Sequence, residues 1–336
     1  MTTQIPSSSG ASTSITGLLT RGSTQFGLLI ILSVVWAVFA SLSPGFLSTF
    51  NLNSIGRSVA VDVVVGFAQM VVLATGGMNL SVGAIGVCSV MLAGYFLQVL
   101  GLPIPLAIAA TLAFGGVLGW LNGIAITKTG VNSFVVTLAT ASLFSGGMLI
   151  LSHGVPLNGL PPEIGVFGKA AVGPVPALAI VALAIGGLLY LLFAQSVLGR
   201  QILAVGANSR AAEMSGIPVS RVIVFVHVLS GVLAAAAALM LMARLGAAMP
   251  AVAGDDWLLP SFLAPVIGGT SLAGGAVSVI GTILGALLVS TIRSGLLILQ
   301  FASFWLQFFL GVFLLAAILV ERYRSVLSAR EQTRQA

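Results

Sequence analysis

The sequence predicts an all-α integral membrane protein, and three observations carry that prediction. Of 336 residues, 58% are apolar and only 6% are charged, against about 25% charged in an ordinary soluble domain. The mean hydropathy is +1.16. Apolar runs of bilayer-crossing length, roughly 20 residues for a hydrocarbon core of about 30 Å, recur along nearly the whole chain. A soluble fold of this length needs a charged shell, and this composition supplies none. The net charge of +6 does not signal nucleic acid, because the 13 basic residues form no stripe and aromatic residues do not interleave with them. The single cysteine, Cys88, has no partner for a disulfide and sits in an apolar run as a small packing residue.

Residues 1–25 are rich in Ser, Thr and Gly, carry only Arg21, and read as a disordered cytoplasmic tail. The run at 26–43 is longer than the apolar stretch of a signal peptide and lacks a small-residue exit beyond it, so it reads as a retained first span. Further runs lie at 53–75, 81–101, 104–126, 133–152, 175–194, 221–243, 257–271, 275–298 and 304–320, which makes about ten candidate spans. Two stand out. The run 53–75 carries Arg57 and Asp62, and 257–271 is short and holds Pro260 and Pro265, so each reads as a broken or re-entrant helix. Residues 322–336 form a second polar tail.

Basic residues in the short connections set the orientation. With the N-terminus inside, nine of 13 fall on the cytoplasmic side and four (Arg57, Lys169, Arg244, Arg293) on the outer side. That favours N-in and C-in, with an even number of spans. The longest outer connection, 153–174, and the longest inner one, 195–220, are too short for a nucleotide- or ligand-binding domain, which needs at least about 50 residues. No phosphate-binding Gly-x4-Gly-Lys-Ser/Thr loop occurs. The energy source is therefore another subunit or an ion gradient.

Three features point beyond a generic bundle. Gly119 with Gly123, and Gly281 with Gly285, form G-x-x-x-G pairs that let helices approach closely in lipid. Gly76–Ala84 matches Gly268–Ala276 at five of nine positions, 192 residues apart; glycine-interrupted helices in matching halves are a mark of transporters. In the inner connection, Asn208 or Ser209 caps a short helix through Ser215, closed by Gly216 and Pro218. That helix suits docking into a groove on a partner. At membrane depth Asp62 is the one acid well inside a span, and Arg57, five residues earlier, is not on its face. Asp62 and Arg293 are candidates for a polar pathway, although Arg293, near an outer helix end, is also placed to snorkel. His227 reads as a hydrogen-bonded packing residue and His153 as a boundary residue. No metal-ligand set, nucleophile–base pair or carboxylate pair is present, which argues against an enzyme.

These motifs carry a resemblance. Gly76-Gly77-Met78-Asn79-Leu80-Ser81-Val82-Gly83 resembles the Gly-x-Asp-Leu-Ser-Val-Gly signature of ribose-type sugar ABC transporter permeases. Gly199, Arg200, Gly206, Asn208, Ala212, Ser215, Gly216, Ile217 and Val219 are similar in spacing to that family's ATPase-facing loop, in which Met214 also falls. Ile267 to Gly275, including Gly269, Thr270, Ser271 and Gly274, resembles its third signature. The similarity runs from about residue 26 to 322. It implies a type II ABC importer-like bundle in the bacterial inner membrane. Two permease copies, identical or paralogous, would work with cytoplasmic ABC ATPase subunits and a periplasmic sugar-binding protein. ATP and Mg would reside on the ATPase, with no cofactor in this chain. It also implies that 199–219 couples ATP hydrolysis to the channel, and that the glycine signatures border the translocation path of a monosaccharide or related polyol. Three departures stand out: Asn79 replaces the usual Asp, Leu258-Leu259-Pro260 replaces an acidic stretch (with Asp255 and Asp256 upstream), and Arg293 replaces a frequent Asn. An amino-acid or nucleoside permease of the same superfamily, and an ion-coupled carrier using Asp62, are the alternative readings.

Overall fold

In the computed structural model, residues 13–250 and 257–301 are described, with a few more between 305 and 315. Asp255, Asp256, the polar tail at 322–336 and most of the 304–320 run lie outside the described residues. Among the described residues, eight helices are long and apolar enough to cross a membrane. They are α1 (Thr13–Leu42), α2 (Thr49–Leu73), α3 (Val82–Gly94, continued by a wider turn through Val99), α4 (Ile104–Thr129), α5 (Ser133–Ser152), α7 (Ala177–Gln195), α10 (Val219–Leu245) and α12 (Val279–Ile298). Shorter helices are α6 (Pro162–Lys169), α8 (Val197–Ala207), α9 (Ser209–Met214) and α11 (Leu258–Ile267). A two-residue antiparallel ladder, β1 (Ala171–Val172) with β2 (Val175–Pro176), closes the outer connection.

Two sequence expectations change, and the reading of 257–271 as short and broken stands. The first helix begins at Thr13, so residues 13–25 are helical rather than part of a disordered tail. Once the apolar run nucleates the helix, each further residue adds a hydrogen bond, and the Gln25 amide reaches Ser278 Oγ at 3.3 Å. The run 53–75 is an unbroken helix, because its two charged residues find partners without disturbing the backbone. The run 257–271 is a half-length helix of 10 residues, α11, with Pro265 inside it.

Helix α2 lies at the centre, packed against α7, α10, α11 and α12, while α1 and α5 face outward. The largest interface joins α4 to α10, and glycine makes it possible. A Cβ on Gly119 would fall 2.1 Å from the His227 carbonyl oxygen, and one on Gly123 would fall 2.7 Å from Val224 Cα. The second glycine pair acts in the same way between α11 and α12. A Cβ on Gly281 would meet the Gly268 carbonyl and one on Gly285 the Ala264 carbonyl, at 1.8 and 2.2 Å. Both pairs thus bring backbone onto backbone, which is where association energy arises when lipid tails are as apolar as the side chains.

Candidate functional site

The two repeated glycine segments meet in space. Helix α2 ends at Leu73, the chain turns through Gly76 in the left-handed region (φ +76°), and the N–H of Gly275 donates to the Ala74 carbonyl at 3.0 Å. A Cβ on Gly76 would lie 2.9 Å from the Ala273 carbonyl, and one on Gly274 (φ +91°) would lie 2.6 Å from Gly76 N. The third member is Gly206, in the last turn of α8. Its Cβ would fall 2.0 Å from Ala74 O and 2.5 Å from Gly275 N. Three chain segments from distant parts of the sequence therefore touch through bare backbone. Gly77 stands against Ser133 Oγ, while Gly269 takes a left-handed turn at φ +88°. Around it Thr270 Oγ1 accepts from Ser278 N at 3.3 Å and Ser271 N donates to Ala276 O at 3.0 Å.

Beyond this junction, α8 leads directly into α9. The side chain of Ser196 caps α8 through Gly199 N at 2.8 Å, and Gly199 lets α8 fold back on the Leu192 carbonyl. Arg200 is exposed and reaches the Gln195 carbonyl at 3.4 Å. Asn208 Oδ1 accepts from Ala211 N at 3.0 Å, capping α9. Ser215 Oγ donates to the Ala211 carbonyl, and Gly216 (φ +81°) ends the helix. Ala212 is the buried anchor at 5% exposure, whereas Met214 is 86% exposed. Arg210, Ala211 and Glu213 are exposed beside it. A six-residue helix with a large apolar side chain in solvent, fixed from behind, is a docking shape.

Asn79 and Ser81 occupy a second, fully buried polar group. Asn79 Nδ2 donates to Ser230 Oγ at 2.9 Å, and Asn79 Oδ1 accepts from Ser81 N at 3.0 Å and Ser81 Oγ at 2.7 Å. Asn122 Nδ2 donates to Ser81 Oγ at 2.7 Å. The Gln69 amide, oriented to satisfy both groups, bridges the main chain of Asn79 at 2.8 and 3.3 Å. Four helices, α2, α3, α4 and α10, are thereby tied around the start of α3. Thr137 and Ser133 on α5 hold the Leu80 and Met78 amides at 3.1 and 3.0 Å. Gly83 lies buried in the first turn of α3. Sequence reading found Asn79 and Ser81 but missed Gln69, Asn122, Ser230 and Thr137.

Asp62 and Arg293 also come together. Ser290 Oγ donates to Asp62 Oδ2, and Arg293 Nη1 lies 3.9 Å from the same oxygen. Arg293 thus turns inward to the acid instead of snorkelling outward. Arg57 donates from Nη2 to the Lys169 carbonyl at 2.8 Å. Arg57, Lys169 and Arg244 line a cavity of about 420 Å³ at the end of α2 opposite the glycine junction. His227 is 1% exposed, with Nδ1 bonded to the Ile223 carbonyl at 2.8 Å, and His153 is the left-handed residue that ends α5. Among the described residues, no cluster of His, Cys, Asp or Glu has the makings of a metal site.

A family model described as branched-chain amino acid transport system / permease component matches residues 54–318. The chain belongs to that family. It is 36% identical to the ribose import permease protein of Bacillus subtilis (strain 168) over 92% of this chain and 95% of that one. It is 34% identical to the D-allose transport system permease protein of Escherichia coli (strain K12), over 89% of this chain and 91% of the relative. The ribose import permease protein of Escherichia coli (strain K12) is 33% identical over 87% and 92% of the two chains. No solved structure matches the chain. The protein is accordingly a multi-pass membrane permease subunit, and both glycine segments, α9 and the buried polar group fall within the matched residues.

Proposed function

We propose that this chain is the membrane subunit of an ATP-driven ABC importer that carries a monosaccharide or related polyol across the bacterial inner membrane. One observation carries the mechanism. The exposed helix α9 is joined through α8 to a junction where Gly206 meets Ala74, just before the first glycine segment, and Gly274 and Gly275 of the second. Movement imposed on α9 by a partner is transmitted at once to the ends of α2 and α11, because no side chain lies between the backbones to absorb it. Chemistry stays outside the chain: ATP and Mg are held by the ATPase, and this subunit converts its closure into a change of the pathway. Asn208, Ala212, Met214, Ser215 and Gly216 shape the docking helix, with Gly199, Arg200 and Gly206 behind it. Gly77, Gly269, Thr270, Ser271 and Gly274 form the moving joint. Asn79, Ser81 and Gly83 keep the start of α3 fixed beside it.

At the opposite end, the cationic mouth of Arg57, Lys169 and Arg244 suits an acidic face of a periplasmic binding protein. The sugar assignment follows the ribose and allose relatives. A second permease copy, identical or paralogous, completes the pathway. Asp62 and Arg293, paired between α2 and α12, work as a polar lock on that seam. Co-purification tests the central claim: an ABC ATPase comes down with the wild-type chain and is lost with a Met214→Asp variant that still inserts in the membrane. Uptake by this chain alone in ATP-free liposomes would sink the reading in favour of a carrier.

A further inference from the structure

Between α4 and α10, at the end that carries α9, lies an open groove of about 610 Å³. Its wall is apolar: Ile124 on α4 faces Val224, Phe225 and Val228 on α10. Its outer lip is cationic, with Lys128 from the last turn of α4 and Arg221 from the first turn of α10. Both cations are exposed, and neither makes an ion pair or hydrogen bond among the described residues. Arg221 and Val228 are seven positions apart on one helix, so the apolar wall descends about 10 Å from the charged lip. The groove therefore pairs positive charge at its lip with an apolar trough below it.

We infer that this groove holds an anionic phospholipid of the cytoplasmic leaflet, its phosphate on Lys128 and Arg221 and one acyl chain along Ile124, Val224 and Val228. The inference rests on the reading that α9 faces the cytoplasm. Other occupants fit less well. A free phosphate gains nothing from an apolar wall about 10 Å deep. A docked ATPase cannot follow the groove below the membrane surface. A second copy meeting this face symmetrically would set Lys128 and Arg221 against themselves. Each cation near an anionic surface strengthens binding by about fivefold, so the pair together contributes about 25-fold.

Native mass spectrometry of the full chain in detergent, titrated with phosphatidylglycerol or phosphatidylcholine, reads the site directly. Expected is a one-to-one adduct that persists with phosphatidylglycerol and not with phosphatidylcholine. A Lys128→Gln/Arg221→Gln variant should weaken it by about 25-fold, and Val228→Trp should weaken it without any change in charge. Inorganic phosphate should not compete. Equal retention of the two lipids, an unchanged adduct in both variants, or displacement by inorganic phosphate overturns the proposal. So does disulfide cross-linking of two copies through Val228→Cys. The leaflet is read separately, by labelling a cysteine placed at Met214 from one side of sealed vesicles. An outward-facing label overturns the orientation while leaving the adduct result to stand or fall alone.

Discussion

Replacing Gly206 with alanine adds one carbon to a point where three chain segments meet backbone to backbone. That carbon would sit 2.0 Å from the Ala74 oxygen and 2.5 Å from Gly275 N, where ordinary contact begins at 3.4 Å. The backbone must give by about 1.4 Å, and the 3.0 Å bond from Gly275 N to Ala74 O cannot survive that shift. Overpacking costs about 1–3 kcal/mol, and a newly unpaired buried amide and carbonyl add about 1–3 kcal/mol. Alanine's better helix propensity returns about 1 kcal/mol, so the net loss is about 1–5 kcal/mol. Because the loss falls on the joint and not on α9, ATPase subunits should still bind Gly206→Ala. Substrate uptake in proteoliposomes with ATP should fall by at least tenfold. Gly187→Ala, on α7 with nothing within 4 Å of the new carbon, is the control and should leave uptake unchanged. Thermal unfolding in detergent and uptake both equal to wild type in Gly206→Ala would refute the backbone-junction argument.

Further outcomes follow from the same geometry. Asn79→Leu removes an amide that makes three hydrogen bonds, to Ser81 and Ser230, and should destabilise the fold by about 3–5 kcal/mol, read as lost monodispersity in detergent. Asn79→Asp should fold, because Ser81 N, Ser81 Oγ and a rotated Ser230 hydroxyl can all donate to it. Asp62→Asn leaves Arg293 without its partner and should lower stability by about 1–3 kcal/mol, less than a fully buried pair because Arg293 is 29% exposed. Adding Arg293→Gln should restore much of that loss in a double-mutant cycle. Gly216→Ala forces a side chain into the left-handed region at about 1–2 kcal/mol, and should reduce uptake while membrane insertion, measured by fractionation, persists.

The sequence made some of this legible and hid the rest for physical reasons. The repeated membrane crossing was legible because a bilayer demands long apolar runs. Helix α9 could be bounded because Asn208, Gly216 and Pro218 each act within a few residues of themselves. The resemblance between Gly76–Ala84 and Gly268–Ala276 was visible, yet nothing in a string of letters says that two such segments touch. Asp62 and Arg57 made α2 look broken, since hydropathy counts a charge as a cost and cannot see Ser290, Arg293 or the Lys169 carbonyl waiting for it. Gln69, Asn122 and Ser230 went unnoticed for a similar reason. A lone polar residue in an apolar run reads as incidental until its partner, 151 residues away for Asn79 and Ser230, is known.

That separation bears on how the chain is made. When α3 enters the membrane, Ser230 is still unsynthesised, and at about 5–20 residues per second it arrives roughly 8–30 s later. For that interval Asn79 has one of its partners missing inside an environment that penalises every unpaired polar group. Asp62 waits longer still, since Ser290 lies 228 residues downstream. The early helices must therefore be sheltered in the insertion machinery, or kept near water, until the second half of the chain is delivered. Both polar groups thus complete their native bonding only after the second half of the chain is delivered.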